Sequence, residues 1–277
     1  MPTRCWILTS WLPEERYHLR ANWSARLHNL RRWGWGLIPI LALLALWEEV
    51  PRVSDGAGEG LLPPFSEVMV QGVHLLRSGV LADSLPRSLL RVLAGFAAGA
   101  VTWIGLGVLI GWQEKVGKTF RPLFGIFYPV PAVGWVPLLM LWLGISELLP
   151  IVVIYICSFF PVLYTTVAGV RSVDKEYIRV ARSLGASERY ILLKVIVPLA
   201  LPYIFTGLRL EAGMAWRVLA AAEMIAVPTG LGALMMRAQS LIRMDIIIAC
   251  LIVLAIMSLV FEKTFALLEK RLTIDWY

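Results

Sequence analysis

The sequence predicts an all-α polytopic membrane protein that crosses the bilayer about six times. Two observations carry this. Of its 277 residues 58% are hydrophobic and only 16% charged, with a mean hydropathy of +0.73, a balance no soluble domain of this size keeps off its surface. The apolar residues also fall into long runs separated by short polar stretches, which leaves no room for a separate soluble catalytic domain.

Residues 1–33 form a polar cytoplasmic or interfacial segment in which Trp6, Trp11, Trp23 and Trp33 alternate with arginines, a pattern suited to a bilayer surface. The first span follows at 34–50 and is read as retained, because Glu48 and Glu49 end it where a cleavable leader would carry small residues. Residues 51–66 are rich in Gly and Pro and make an external loop, so that 34–87 holds the first span and that loop. A core transmembrane domain is expected over 88–262, with a cytoplasmic tail over 263–277.

Within that core the second span covers 88–111, interrupted only by Arg91. Its Gly95/Gly99 and Gly107/Gly111 pairs have the spacing that lets helix backbones approach closely. Residues 112–121 read as a basic turn. A third span over 122–146 has no charge, but Pro122, Pro129, Pro131 and Pro137 force it to be irregular, which turns freed carbonyls toward protein or water. Pro131, Trp135 and Pro137 are therefore candidates for lining a pathway. Glu147 marks an external turn, and further spans follow at 148–168, 197–222 and 244–262. An external stretch over 223–243 is broken at Val227-Pro228-Thr229-Gly230.

With 1–33, 112–121, 171–194 and 263–277 inside, 18 of the 26 Lys and Arg lie on one side, and both termini are expected in the cytoplasm of a multi-pass protein of the cell inner membrane. The net charge of +7 is spread between apolar segments, so no nucleic-acid partner is expected. Cys5, Cys157 and Cys250 are isolated, and His18, His28 and His74 all lie in polar flanks. No metal site, disulfide framework or buried catalytic constellation follows from them. The full phosphate-cradling pattern G-x-x-x-x-G-K-S/T does not occur, so the chain is expected to be no enzyme and to bind no cofactor.

Residues 171–194 are too polar for a span and too long for a minimal turn. Tyr177, Val180, Ala181 and Leu184 recur at helical intervals, Gly185 permits a sharp turn, and Ser187 can cap a second helix with Glu188 in its first turn. Such a protrusion can dock in another protein's groove and pass a rigid movement to the spans.

Arg179-Val180-Ala181-Arg182-Ser183-Leu184-Gly185, followed by Val195-Ile196-Val197-Pro198, resembles the cytoplasmic loop of binding-protein-dependent ABC importer permeases. That loop begins Glu-Ala-Ala, places a glycine six positions after the Glu and ends in Leu-Pro. Ala181, Gly185 and Pro198 match, whereas Arg179 stands where the family has Glu, which leaves Glu176 or Glu188 to supply the acidic contact. Leu61–Val68, Arg87–Phe96, Pro129–Leu138, Leu141–Ile145, Ala200–Arg209 and Ala221–Ile225 are similar to the nitrate, sulfonate and taurine branch.

The resemblance implies a type I importer permease fold with a cytoplasmic coupling helix. It implies as partners a second copy of the permease, two ABC ATPase subunits that use ATP and Mg, an extracytoplasmic solute-binding protein, membrane lipid and a small anionic solute such as taurine, another organosulfonate or nitrate. Coupling to the ATPases falls to Tyr177, Arg179, Val180, Ala181, Arg182, Leu184, Gly185, Ala186, Ser187 and Pro198. A secondary transporter and a membrane-embedded enzyme are the alternative classes.

Arg209, Glu211 and Arg217 interrupt the fifth span, where a charge is costly unless it faces a cavity, pairs or snorkels. An arginine facing the pathway would attract an anion. The family has small or neutral residues where Glu211 and Arg217 stand. Glu223, at the outer end of the same span, is a candidate for an external gate or for contact with the binding protein. A structural ion pair remains the other reading of Glu211 and Arg217, and an ordinary interface glutamate beside the proline-glycine break that of Glu223.

Overall fold

The computed structural model describes residues 38–52, 62–127 and 129–273. The expected N-terminal segment 1–33 lies outside these residues. By internal contacts the chain divides at Ser66, and the two units are described separately.

In the first unit, α1 spans 38–52. Trp47 meets Phe65 edge-on at 5.4 Å and donates from its indole to the Pro63 carbonyl at 3.2 Å. The Glu48 carboxylate accepts from Ser66 N at 2.9 Å and from Ser66 Oγ at 2.7 Å, which satisfies one of the orphan donors at the start of the next helix.

That helix, α2, is Phe65–Arg77. The second unit continues with α3 (Val80–Trp112), α4 (Glu114–Phe127), α5 (Trp135–Leu143), α6 (Leu148–Cys157), α7 (Phe159–Ser172), α8 (Lys175–Ser183), α9 (Glu188–Ile191), α10 (Val197–Ala226), α11 (Leu231–Ser240) and α12 (Met244–Thr273). Among the described residues, four stretches are long and apolar enough to cross a membrane: Val80–Trp112, Leu148–Ser172, Glu188–Ala226 and Met244–Leu272. The fold is all-helical among the described residues.

Helix α10 is the hub, packed on α7, α12, α11, α6 and α3. The glycine stripe of α3 faces α6 and α7. A Cβ at Gly99 would lie 1.9 Å from Ser158 Oγ, and one at Gly107 would lie 2.7 Å from the Thr166 Cβ. Gly95 and Gly111 are as tight against Ile154 and Val170. The four-residue spacing read from the sequence therefore sets the α3 contact.

Several expected boundaries move. The turn expected at 112–121 is only Gln113, after which α4 begins at once; its first-turn Glu114 pairs with Lys118 at 2.9 Å, and Phe124 packs on Phe159. The third span over 122–146 is not one helix. It divides into the end of α4, a 3₁₀ turn at Ala132–Gly134 and the nine-residue α5, because the prolines withdraw donors and clash with the preceding turn. The external stretch expected over 223–243 is largely helical. It holds α11, whose Leu231, Ala233, Leu234, Met235 and Ala238 are buried. The last helix runs past 262 into the expected tail, as far as Thr273.

Candidate coupling and translocation sites

Segment 171–194 folds as a helix-turn-helix. Helix α7 ends at Val173, in extended backbone, and the Asp174 side chain caps α8 by accepting from Glu176 N at 2.9 Å. Gly185, at φ 83°, closes α8 with Gly185 N donating to Arg182 O at 2.9 Å and Ala186 N to Ala181 O at 3.1 Å, the paired bonds of a Schellman stop. Ser187 Oγ then accepts from Tyr190 N at 3.3 Å to start α9. Arg182 grips Glu188 across the turn with bonds of 2.8 and 3.1 Å, a contact that raises the guanidinium above its ordinary range.

One side of this hairpin is anchored. Ile178, Ala181 and Ala186 pack against a core that includes Ile191, Ile196, Ala200 and Ile204. The other side is apolar and open: Tyr177 is 59% exposed, Val180 59% and Leu184 83%. Arg179 is exposed beside them and reaches Glu176 at 3.5 Å. Below the hairpin, Leu192–Ile196 forms a π turn. The cause is Pro198 in the first turn of α10, which offers no N–H and crowds the carbonyl four residues back, so the chain widens by one residue. The second helix of the hairpin thus runs through the π turn into the hub helix without a break.

At the opposite end of α10 the structure assembles a buried charge network. Arg91 of α3, 3% exposed, pairs with Glu223, 0% exposed, and with Glu147. It also donates to Thr229 O at 2.8 Å and to Thr229 Oγ1 at 2.6 Å. Glu223 further accepts from Ser88 Oγ at 2.9 Å and from Gly232 N at 2.9 Å, while Ser88 Oγ accepts from Leu231 N at 3.0 Å. Gly230, at φ 104°, leaves the room this requires: a Cβ there would lie 2.4 Å from the Glu223 carboxylate. Glu223 is therefore enclosed, and it fastens α3, α10, the 227–230 loop and the start of α11 to one another. Sequence reasoning missed Arg91, Ser88, Glu147 and Thr229, although Arg91 was the one charge in the second span and Glu147 the one charge between Arg121 and Arg171.

The pathway candidates separate. Pro131 and Trp135 line a cavity of about 890 Å³ walled by Trp103, Tyr155, Phe159, Phe160 and Tyr164, which Leu210 and Met214 of α10 also face. Trp103 is fixed there by an indole bond to the Tyr155 carbonyl at 2.9 Å. Pro137 is exposed on α5 and is not part of that wall. Arg209 and Arg217 line a second cavity of about 270 Å³ with Thr206, Leu210, Gly213 and Glu262. Glu211 lines neither cavity. It is fully buried, with no hydrogen-bond partner on either oxygen.

A hub helix continuous with an exposed hairpin, a glycine-packed neighbour and cavities along the hub define the architecture of a helical membrane protein. Residues 103–274 match the family described as binding-protein-dependent transport system inner membrane component, and the chain belongs to that family. It is 38% identical over 239 residues to a putative ABC transporter permease protein of Methanocaldococcus jannaschii, covering 84% of this chain and 88% of that one. It is 35% identical over 268 residues to the taurine transport system permease protein of Escherichia coli, covering 92% and 97%. Its fold is similar to that of an inward-facing MetNI methionine ABC transporter structure, with TM-score 0.61, 17% identity and coverage of 70% and 96%.

The chain is the permease component of an ABC importer, a multi-pass membrane protein of a class that works with ATPase and binding-protein partners. This membership supports neither the secondary-transporter nor the enzyme reading.

Proposed function

We propose that two copies of this chain form the path by which a small anionic solute, an organosulfonate of the taurine kind or nitrate, enters the cytoplasm across the inner membrane. Two separate ATPase subunits bind and hydrolyse ATP with Mg, an extracytoplasmic binding protein delivers the solute, and this chain holds no cofactor. Both termini lie in the cytoplasm, on the side of the 171–194 hairpin. ATP draws the ATPases together, they displace α8 and α9, and the π-turn junction passes that displacement to α10, so the path alternates between its two openings.

The observation that carries this reading is the two-sided hairpin, seated on the core through Ile178, Ala181 and Ala186 and bare at Tyr177, Val180 and Leu184. Covering what Val180 and Leu184 still expose is worth about 2–4 kcal/mol before ordering costs. The solute class rests on relatives whose names specify taurine, aliphatic sulfonates, nitrate and bicarbonate. Copurification with the ATPase subunits tests the assembly: Leu184→Asp is expected to abolish it while the variant permease keeps its own thermal midpoint. Undiminished copurification of Leu184→Asp would remove the hairpin as the docking element.

A further inference from the structure

The smaller cavity, between α10 and α12, holds two charges that have no ion-pair partner among the described residues. Arg209 is already answered by Glu269, whose carboxylate lies 3.1 Å from its guanidinium. Arg217 makes only a local bond, from Nε to the Gly213 carbonyl at 3.0 Å. Glu262 faces the same space, and no ion pair joins it to Arg217 or to any other cation among the described residues. The two flank Gly213: a side chain starting there would begin 3.8 Å from Glu262 Oε2 and 3.9 Å from Arg217 Nη2.

Gly213 lies well inside α10, and Glu262 at the end of the apolar part of α12, next to Lys263. Charges within a span are expensive and mark a functional site by default. A guanidinium and a carboxylate held apart over open space repel or attract an incoming ion according to its sign. For a lone small anion the two effects oppose each other; for a molecule carrying both charges they add.

We propose that Arg217 and Glu262 form a transient binding site for a small zwitterion. Its acid group, a sulfonate or carboxylate, meets Arg217, and its ammonium meets Glu262. The cavity, about 270 Å³, has the volume of roughly nine waters, which suits a solute of a few heavy atoms. Gly213 provides the floor, since a larger residue would project between the two charges. Leu210 is shared with the aromatic cavity, so the site adjoins the larger chamber. This rests on the permease reading above and narrows its solute from small anions in general to those that also carry an ammonium.

The test is direct binding to the permease–ATPase complex in lipid nanodiscs, without the binding protein, so that the selectivity read is the permease's own. The probes are 2-aminoethanesulfonate and ethanesulfonate, which differ by the ammonium. Glu262→Gln is expected to weaken the first about ten-fold, as loss of one charged hydrogen bond would, and to tighten the second. Arg217→Gln is expected to weaken both, with Arg217→Lys retaining part of the binding and serving in its place if the Gln variant does not assemble.

Absence of saturable zwitterion binding to the wild-type complex overturns the site, as does a Glu262→Gln effect of the same sign, or of no size, on both probes. That last pattern would mean that the charges are matched by the second copy. A complex that assembles and imports solute yet fails this test loses the zwitterion site and keeps the permease reading; a chain that never copurifies with ATPase subunits loses the reading itself.

Discussion

Helix α10 carries two charged regions that solve the same physical problem differently. Near its C-terminal end, Glu223 is enclosed with Arg91, Ser88 and the Gly232 amide, and every polar group has a partner. Near its middle, Arg217 and Glu262 look across a cavity without meeting. Ionised groups taken out of water are tolerated only when their lone pairs and protons are satisfied. The first region meets that condition within the chain, and so it is structural. The second does not among the described residues, and Arg217 is left exposed on the hub helix. Burial with complete pairing fixes a position; open, unpaired charge in a span leaves a vacancy to be filled.

The strongest way to break this contrast is to strip one member from the closed region. Arg91→Ala leaves Glu223 buried and opposed only by neutral donors, and removal of one partner of such a pair costs about 3–5 kcal/mol. A large fall in the thermal midpoint and in yield of assembled complex is expected, read by fluorescence-monitored melting and size exclusion. The same truncation at Arg217 is expected to leave melting close to wild type and to lower solute-stimulated ATP turnover. If Arg217→Ala melts as low as Arg91→Ala, the two regions do not differ in kind.

Much of the scaffold was legible because its signals are local. The Gly95, Gly99, Gly107 and Gly111 stripe announced the α3 contact, and Gly185 and Ser187 announced the hairpin through turn and cap chemistry. What stayed hidden depended on contacts distant in sequence. Glu223 reads as an interface glutamate until Arg91, 132 residues away, is brought beside it. Helix α11 reads only as part of a broken external stretch because Pro228 and Gly230 precede it, and only packing reveals that its small and apolar residues are interior. Glu262 drew no notice, since near the end of a span an acidic residue resembles a boundary.

Glu211 sharpens the comparison from a third side, being enclosed like Glu223 but unpaired. A buried polar group without a partner costs about 1–3 kcal/mol. Glu211→Leu is therefore expected to raise the melting temperature of the complex by a few degrees, opposite in sign to Arg91→Ala. A lower midpoint would mean that the carboxylate has a partner supplied within the assembled transporter.

The smallest effect on stability is expected at Arg179, where the hairpin departs from the Glu-Ala-Ala pattern. Its side chain is exposed and touches only Glu176, at 3.5 Å, and exposed pairs of this kind contribute little. Arg179→Glu should leave the permease's melting unchanged. The nearby acids are not equivalent substitutes for the missing one: Glu188 is committed to Arg182, whereas Glu176 is held only loosely and can turn toward a partner. If Glu176 makes the acidic contact with the ATPase, Glu176→Gln weakens copurification and Arg179→Glu restores it in the double variant. If Glu176→Gln copurifies as well as wild type, the docking groove in this transporter accepts a hairpin without an acidic contact, and Tyr177, Val180 and Leu184 carry the attachment alone.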